Sequence, residues 1–267
     1  MNKNQIKLGI IGAGGKMGRG ITEFALKDPD FTNIQLFENP EYPNEKLEVY
    51  DRSNNSMATF NLLKDLNNSK EQLDVLIDFS LPDSTETSLN YAAKNRIPLV
   101  IGTTGIEFLQ EKIEKASQKT ALLISPNMSL GVNLCFKLAG LAAKALGDTY
   151  DIDIMEAHHR GKRDAPSGTA LKFGSVISEN RDDKLLDNAV YGRVGSDSAR
   201  EDNSIGFQTI RAGDTVGDHT VFFAGEGERI EITHRATSRT SFVTGALKAA
   251  KWLITRDNGL YSFNDII

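Results

Sequence analysis

The stretch IIGAGGKMGRG, residues 10–20, contains five glycines in eleven residues. It overlaps an apolar run at 6–11 that is typical of a buried strand, and it leads into a helical pattern over 16–27. Glycines let the backbone approach a pyrophosphate closely, and the start of a helix offers N–H groups that no helical carbonyl accepts. A glycine loop alone is equally compatible with an ordinary turn. Strand, loop and helix in this order nevertheless favour the first βα unit of a dinucleotide-binding domain.

Glu38 strengthens this interpretation. It ends the second strand-like run, IQLFE at 34–38, where an acidic side chain can hold both hydroxyls of an adenosine ribose. For Glu38 alone, a solvated strand end is the alternative. Together, the strand, the loop, the helix and the acid predict a site for a dinucleotide cofactor.

The first half of the chain continues the alternation of strands and helices. Strand-like runs occur at 6–11, 34–38, 74–80, 98–102 and 121–125, with helical patterns at 16–27, 84–96 and 106–118. This alternation predicts an α/β fold of the Rossmann type, a doubly wound parallel sheet with helices on both faces. The polar stretch 39–72 departs from the pattern and holds either an extra small strand or a long loop.

The pattern changes near residue 127, where a second domain of different build begins. A long helix is predicted over 130–146. Its apolar stripe consists of Leu134, Leu138, Leu141 and Ala145. After a polar stretch at 180–204, strand-like runs follow one another over 205–236 without helices between them. This order predicts an α+β domain with a mixed or antiparallel sheet.

The last helical pattern, at 241–254, resembles the first half again, and we expect it to pack on the first sheet. The chain is therefore predicted to divide into a dinucleotide-binding domain of residues 1–127 and 239–267 and a second domain of residues 128–238.

Composition narrows the class of protein. The 267 residues are 39% hydrophobic and 25% charged, as in ordinary globular domains, and the net charge of -5 argues against a dedicated nucleic-acid binder. No apolar run approaches the ~20 residues of a membrane span, and the first residues lack a signal-peptide pattern. The single cysteine, Cys135, excludes an internal disulfide and suits a reducing cytoplasm.

The run EAHHRGKRDAPSGTA, residues 156–170, gathers positive charge directly before a Ser-Gly-Thr turn. Ser167, Gly168 and Thr169 precede a helical pattern, and a helix N-terminus binds carboxylates and phosphates well. A simple N-cap beside a solvated loop is the alternative. The adjacent cations favour a pocket for a small, doubly charged carboxylate, with His and Lys as proton donors.

A metal site is not expected in this run. His158 and His159 are adjacent, and neighbouring residues on a strand point to opposite faces. Cys and His elsewhere in the chain do not complete a zinc-binding pattern.

These segments resemble the 4-hydroxy-tetrahydrodipicolinate reductase family, formerly named dihydrodipicolinate reductase. The run at 156–170 is similar to the family signature E-x-H-H-x-x-K-x-D-x-P-S-G-T-A. Other segments agree in the family's order and extend the resemblance over essentially the whole chain. They are GAGGKMG at 12–18, DFS-x-P at 78–82, GTTG at 102–105, PNMSLGVN at 126–133 and the run at 205–242.

The resemblance implies a reductase of the bacterial and plant route to diaminopimelate and lysine. It implies NADH and/or NADPH as cofactor, a small cyclic dicarboxylate as substrate, and a homotetramer built through the second domain, which would bind substrate and mediate oligomerisation. It also implies site residues by position. His158 is similar to the catalytic acid/base and Lys162 to the proton donor.

Two further sets of residues follow from the resemblance. The residues similar to those that grip the substrate carboxylates are His159, Lys162, Ser167, Gly168 and Thr169. The residues similar to the family's cofactor contacts are Gly12, Ala13, Gly14, Gly15, Lys16, Met17, Glu38, Gly102, Thr103, Thr104, Ser125, Pro126, Asn127 and Met128.

The chain departs from the family at a position that bears on cofactor choice. Asn39 stands where family members often carry Arg after the ribose-binding acid, and this leaves Lys16, Arg19 and Arg52 as candidate partners for an extra phosphate. Two rival functions are a dinucleotide sensor that has lost the chemistry and another nicotinamide dehydrogenase. The presence of His158 and Lys162 argues against the first, and the pairing of H-H-x-x-K with P-S-G-T argues against the second.

Overall fold

A computed structural model of the chain describes residues 5–51 and 53–267. It divides into two compact units. Unit 1 is Met1–Leu130 with Thr240–Ile267, and unit 2 is Gly131–Arg239. These boundaries lie within three residues of the domain boundaries predicted from the sequence. Arg52, a candidate phosphate partner, lies outside the described residues.

The described residues form thirteen strands and seven α-helices, numbered in chain order. The strands are β1 Ile6–Ile11, β2 Phe31–Phe37, β3 Lys46–Asp51, β4 Ser56–Leu63, β5 Val75–Asp78, β6 Leu99–Ile101, β7 Ala121–Ile124, β8 Asp151–His158, β9 Ala189–Tyr191, β10 Ile205–Arg211, β11 Gly217–Gly225, β12 Glu228–Ala236 and β13 Gly259–Tyr261. The helices are α1 Lys16–Ala25, α2 Pro82–Asn95, α3 Gln110–Ser117, α4 Leu130–Leu146, α5 Gly168–Asn180, α6 Leu185–Asn188 and α7 Thr240–Leu253.

The sheet of unit 1 has eight strands in the order β13-β7-β6-β5-β1-β2-β4-β3. Its pairings are parallel except that of β3 with β4. β2 lies on one side of β1 and β5 on the other, so the winding reverses beside β1. One apolar core packs α1 and α7 against the sheet, and a second core packs α2 and α3. The doubly wound α/β fold predicted from the sequence is confirmed.

The polar stretch 39–72 holds two strands rather than one small strand or a long loop. β3 and β4 form an antiparallel hairpin, and the end of β4 pairs in parallel with the end of β2 at Phe37 and Leu63. In β3, Leu47 and Val49 are buried, whereas the alternating residues Lys46, Glu48 and Tyr50 are exposed. Only every second residue is apolar, so the stretch resembles a polar loop in sequence.

The sheet of unit 2 has five strands in the order β12-β11-β8-β10-β9. β9 and β10 run parallel to β8, whereas β11 is antiparallel to β8 and to β12. The predicted mixed sheet is therefore confirmed. α4 and α5 contribute Phe136 and Phe173 to a core that also contains Phe207 and Phe223 of the sheet. The polar stretch 180–204 contains α6 and β9.

The apolar stripe noted on α4 is the exposed face of the helix. Leu134, Leu138, Leu141 and Ala145 are all exposed. The buried face carries Val132, Phe136, Ala139 and Ala143 instead, because these smaller or aromatic side chains fit against the sheet of unit 2. Within the described residues, Leu130–Thr149 is the one helical segment long and apolar enough to cross a membrane by length and composition, and a third of it is buried.

α7 packs against the backbone of Met128, which follows β7, at a position that only glycine can occupy. A Cβ on Gly245 would lie 1.7 Å from the carbonyl oxygen of Met128. That oxygen belongs to the backbone and cannot rotate away. The approach therefore fixes the depth at which α7 lies on the first core.

We expect Gly245→Ala to lower the free energy of unfolding by about 1–3 kcal/mol, because overpacking against backbone displaces α7. Urea denaturation monitored by circular dichroism measures the change. The exposed neighbour Thr244→Ala is the matched control and should stay near the wild type. Equal midpoints for Gly245→Ala and the wild type would contradict the described packing.

Candidate active site

The glycine loop between β1 and α1 is closed so tightly that side chains have no room in it. Gly12 has a φ of +75°, and a Cβ there would lie 2.5 Å from the carbonyl oxygen of Phe79. A Cβ on Gly18 would lie 2.3 Å from the carbonyl oxygen of Gly12. Gly15 caps α1, and no side chain hydrogen-bonds at this cap. The first turn of α1 thus presents N–H groups and a positive helix end without a capping side chain, which fits a pyrophosphate.

Glu38 lies directly after β2 and is fixed against this loop. Its Oε2 accepts a hydrogen bond of 2.7 Å from the N–H of Gly14, and its Oε1 accepts one of 3.0 Å from the N–H of Asn39. Each carboxylate oxygen can accept a second hydrogen bond. The carboxylate therefore keeps capacity for the two hydroxyls of a ribose while the backbone holds it in place.

A cavity of about 770 Å³ opens where β1, β2, β4 and β5 end. Four predicted cofactor residues line it, namely Gly12, Gly14, Gly15 and Glu38. Three others belong to the same loop and helix start without lining the cavity. Ala13 is fully buried, Lys16 is exposed and Met17 packs partly against the first core. The cavity lies beside the reversal of the sheet, where open α/β folds bind their ligands.

The remaining predicted cofactor residues follow the next strands along the same edge. Gly102–Thr104 come after β6 and Ser125–Met128 after β7, and neither segment lines the cavity. A Cβ on Gly102 would lie 2.2 Å from the ring of Phe79, so this glycine packs directly beneath a cavity residue. Ser125 Oγ donates 2.7 Å to the carbonyl of Asn127, and Met128 is buried in the first core. Their contact with a cofactor stays a prediction.

Asp78 joins two of these segments, and the sequence reasoning did not identify it as a site residue. It ends β5 with no solvent exposure. Its Oδ1 accepts hydrogen bonds from the N–H of Ser80 at 2.8 Å and from Thr103 Oγ1 at 3.2 Å. Burial raises the pKa of this carboxyl, in opposition to those hydrogen bonds. Asp78 thus fixes the turn after β5 to the GTTG loop.

Lys64 is a cation of the cavity wall that the sequence reasoning also missed. It follows β4 directly, and its ammonium donates to the carbonyl oxygens of Tyr42 at 2.7 Å and Asn44 at 3.1 Å. Tyr42 covers the glycine loop so closely that a Cβ on Gly14 would lie 2.4 Å from its ring. The pairing of β4 with β2 brings Lys64 to the strand end that also carries Glu38.

In unit 2, the predicted catalytic histidine is the last residue of β8. Adjacent β8 residues alternate between faces, so Glu156 and His158 share one face and His159 lies beyond the strand end. Glu156 Oε2 lies 2.6 Å from His158 Nδ1. Burial lowers the pKa of His158, and the charges of Lys162 and Arg211 act in the same direction against the carboxylate. His158 is therefore a neutral imidazole near pH 7, with Nε2 as the ring nitrogen that Glu156 does not contact.

Arg211, at the end of β10, completes the surroundings of Glu156. Its two terminal nitrogens donate to the two carboxylate oxygens at 2.7 Å each. Although burial acts to raise it, the pKa of Glu156 is lowered because Arg211 and His158 favour the carboxylate. Parallel pairing places Arg211 opposite His158, so strand register creates this contact. In the sequence, the spacing of two residues between Glu156 and His158 is the signal that places Glu156 on the same strand face as the histidine.

Ser167, Gly168 and Thr169 form the start of α5 as predicted, but they differ in what they offer. Ser167 is buried, its N–H donates to Glu156 Oε1 at 3.1 Å, and its Oγ accepts from the N–H of Ala170 at 3.2 Å. Ser167 therefore acts as the N-cap. A Cβ on Gly168 would have no described atom within 4 Å, so the space in front of the helix start is open there.

Lys162 lies on the loop between β8 and α5. Its ammonium donates to both carboxylate oxygens of Asp164 at 2.8 Å, and its backbone N–H donates to the carbonyl of His159 at 3.1 Å. This ion pair lowers the pKa of Asp164. The structure thus brings His158, Lys162 and the start of α5 to the ends of β8 and β10. Groups of three or more side chains able to hold a metal ion are absent from the described part of the chain.

His219 of β11 is a second buried histidine at this site. Its Nε2 lies 2.9 Å from Ser167 Oγ, and its ring stands edge-on to His158 with 5.1 Å between centroids. Burial lowers the pKa of His219 to about 3, and the nearby His158 acts in the same direction. His219 therefore stays neutral and supports the N-cap of α5.

Comparisons with known proteins match the chain in both of its units. Residues 6–128 match the family model described as dihydrodipicolinate reductase, N-terminus, and residues 131–267 match the model described as dihydrodipicolinate reductase, C-terminus. The chain is 42% identical over 268 residues to the 4-hydroxy-tetrahydrodipicolinate reductase of Herminiimonas arsenicoxydans, covering 99% of this chain and 98% of that one. It is 43% identical over 263 residues to the enzyme of the same name from Methylococcus capsulatus, covering 98% of each.

A solved structure is also similar over the whole chain. Dipicolinate-bound dihydrodipicolinate reductase from Paenisporosarcina sp. TG-14 superimposes with a TM-score of 0.73 at 25% identity. The match covers 98% of this chain and 100% of that one.

The lowered pKa of His219 predicts a loss of stability in acid. The unfolded chain binds a proton on this histidine near pH 6.5, whereas the folded protein does so only near pH 3. Stability therefore falls as pH decreases from about 6.5, by up to about 1.4 kcal/mol per pH unit for one proton. We expect His219→Gln, whose amide nitrogen can replace Nε2 toward Ser167, to reduce the slope. Urea denaturation at several pH values between 5 and 7 measures it, and identical slopes for both proteins would contradict a buried neutral His219.

Proposed function

Because this chain belongs to the dihydrodipicolinate reductase family across both of its units, we propose that unit 1 holds the cofactor and unit 2 holds the dicarboxylate in that family's reaction. The protein is an NAD(P)H-dependent oxidoreductase. It reduces 4-hydroxy-2,3,4,5-tetrahydrodipicolinate to 2,3,4,5-tetrahydrodipicolinate with loss of water, a step of the diaminopimelate route to lysine. The observation that carries the proposed division of roles is the open start of α5 beside His158 and Lys162.

The start of α5 suits one carboxylate of the substrate. Ser167 caps the helix from within, so the anion is left to the helix end at Gly168 and Thr169, where the dipole is positive. Lys162 can bind the same dianion by exchanging its contact with Asp164 for a substrate carboxylate. His159, at the start of the same loop, is the remaining candidate in our proposal.

The balance of the reaction requires a proton donor at this site. Replacing a hydroxyl by hydrogen with release of water consumes one hydride and one proton. His158 and Lys162 are the groups at the site that can hold and deliver a proton. The carboxylate of Glu156 at Nδ1 leaves Nε2 of His158 as the nitrogen that exchanges the proton.

The residues of unit 1 fit a nicotinamide dinucleotide. The close-packed glycines and the uncapped start of α1 suit its pyrophosphate, and Glu38 suits the adenosine ribose. When bound, this cofactor supplies the hydride. The chain's own residues bind it, orient it and exclude water around it.

We propose that both NADH and NADPH serve, with a modest lean toward NADH. Glu38 accepts hydrogen bonds from ribose hydroxyls and repels a phosphate in their place, and Asn39 supplies no guanidinium to offset the repulsion. Lys16 and Arg19 remain candidate phosphate partners, and Lys64 of the cavity wall joins them. Lysine lacks the bidentate fork of arginine, so it tolerates the phosphate without selecting it.

A homotetramer and a cytoplasmic location complete the proposal. Large apolar side chains of unit 2 are exposed in the single chain, with Val194 at 93% and Leu186 at 90%. Ile210 and Ile230 of its sheet are also exposed. Apolar surface of this kind supports burial between copies of the chain.

We expect His158→Ala and Lys162→Ala each to lower kcat by about 10²–10⁴-fold, the usual contribution of a positioned acid or base. The assay follows loss of NADH or NADPH absorbance with freshly generated substrate. Lys172→Ala removes an exposed cation of α5 and is the matched control with unchanged turnover. Near-wild-type kcat in both site variants would refute the acid–base assignment, and a protein that binds cofactor without any turnover would be a sensor.

The cofactor proposal predicts that NADH is favoured in kcat/KM by less than about tenfold, equivalent to about 1.4 kcal/mol. Asn39→Arg should weaken the lean, because it restores a guanidinium beside the ribose site. Lys64→Met should weaken NADPH binding more than NADH binding. Dissociation constants from fluorescence titration, measured at low and moderate salt, test this apart from turnover. A strong NADPH preference at both salt levels would show that the cations outweigh Glu38.

A further inference from the structure

Glu156 is the most completely enclosed carboxylate of unit 2 that the proposed reaction does not use. It is 1% exposed on β8. Its two oxygens accept hydrogen bonds from four residues. The donors are His158 Nδ1 at 2.6 Å, both terminal nitrogens of Arg211 at 2.7 Å, the N–H of Ser167 at 3.1 Å and Thr209 Oγ1 at 3.2 Å. A buried charge is tolerated only when partners of this kind surround it.

These contacts control the orientation of His158. A carboxylate at Nδ1 selects the tautomer with hydrogen on that nitrogen and leaves the Nε2 lone pair toward the other side of the ring. A Cβ on Gly217 would lie 3.1 Å from Nε2, so the ring also has little room to turn. The imidazole is therefore held by Glu156 of β8 and confined by Gly217 of β11.

The same carboxylate also determines the ends of the loop that follows β8. Glu156 accepts from the backbone of Ser167, where α5 begins, and its partner Arg211 donates to the carbonyl oxygen of Asp164 at 2.6 Å. The ion pair thus connects the proton-handling histidine with the residues at the start of α5.

We propose that Glu156, with Arg211, is a positioning residue of the reaction, fixing the tautomer of His158 and the place of the α5 start in one contact set. The inference rests on the proposed function, because that function makes His158 an acid or base of the reaction. Glu156 touches neither substrate nor cofactor in this role. It acts through the imidazole and through the backbone of Ser167.

The charged groups around His158 determine how its titration responds. Glu156 favours the protonated ring, whereas Lys162 and Arg211 disfavour it, and the neutral His219 stands edge-on to it. Replacing the carboxylate by an amide removes the anion that contacts the ring and keeps the two cations, of which Lys162 stays paired with Asp164. The pKa of His158 should then fall below its value in the wild type.

Glu156→Gln tests the proposal. We expect kcat to fall about 10- to 100-fold, a part of what a positioned acid or base contributes. The limb of the kcat pH profile that reports the titration of His158 should move to lower pH, and ¹⁵N NMR should show hydrogen on Nε2 in a larger share of His158. Thr209→Val is the matched control, since it removes one neutral donor to the same carboxylate and should leave both readouts unchanged.

A second variant covers the case in which Glu156→Gln does not fold, because Arg211 would then lie partly buried without its partner. Glu156→Met combined with Arg211→Met removes both charges and also removes the acceptor at Nδ1. We expect this double variant to fold and to show the same changes in kcat and tautomer.

The outcomes separate the proposal from the function on which it rests. An unchanged tautomer, titration and kcat in a folded Glu156 variant overturns the positioning role and indicates a purely structural ion pair. If His158→Ala turns over normally, the acid–base assignment fails instead, while the NMR titration still reports whether Glu156 orients the ring.

Discussion

Burial of one carboxylate organises the site of unit 2. Glu156 is 1% exposed and stays charged because Arg211 forms a bidentate ion pair with its carboxylate. Arg211 reaches it only because β10 runs parallel to β8 in a register that places it beside His158. The remaining acceptor positions of Glu156 then fix the histidine and the first residue before α5. The placement of His158 and of the start of α5 follows from this one requirement.

The site of unit 1 depends instead on a loop that has no room for side chains. Gly12 and Gly18 allow α1 to begin against the end of β1, where a single methyl group would collide with backbone. What remains at the helix start is a set of amides and a positive dipole end. Glu38 then adds one carboxylate whose position the backbone of Gly14 fixes. The helix start therefore offers backbone N–H groups to a phosphate-bearing ligand, with the carboxylate of Glu38 held against the same loop.

The sequence predicted those parts of the structure that depend on local pattern. Strands and helices of the first sheet follow from their alternation, and the glycine loop from its position between β1 and α1. The stripe on α4 was assigned from the helical pattern alone, which does not show which face the sheet covers. The covered face carries small residues such as Ala139 and Ala143. Partners that depend on register between distant strands, such as Arg211 and Lys64, have no local signal. Signature residues were found because they stand close together in the chain.

A crystal structure of the protein with dipicolinate, a planar analogue of the substrate, tests whether the start of α5 holds the dicarboxylate. We expect one carboxylate at the start of α5, on the N–H groups of Gly168 and Thr169, with Lys162 turned from Asp164 toward the ligand. His158 Nδ1 should stay on Glu156 in that complex. A ligand bound away from the start of α5, or a His158 ring turned so that Nε2 faces Glu156, would contradict it.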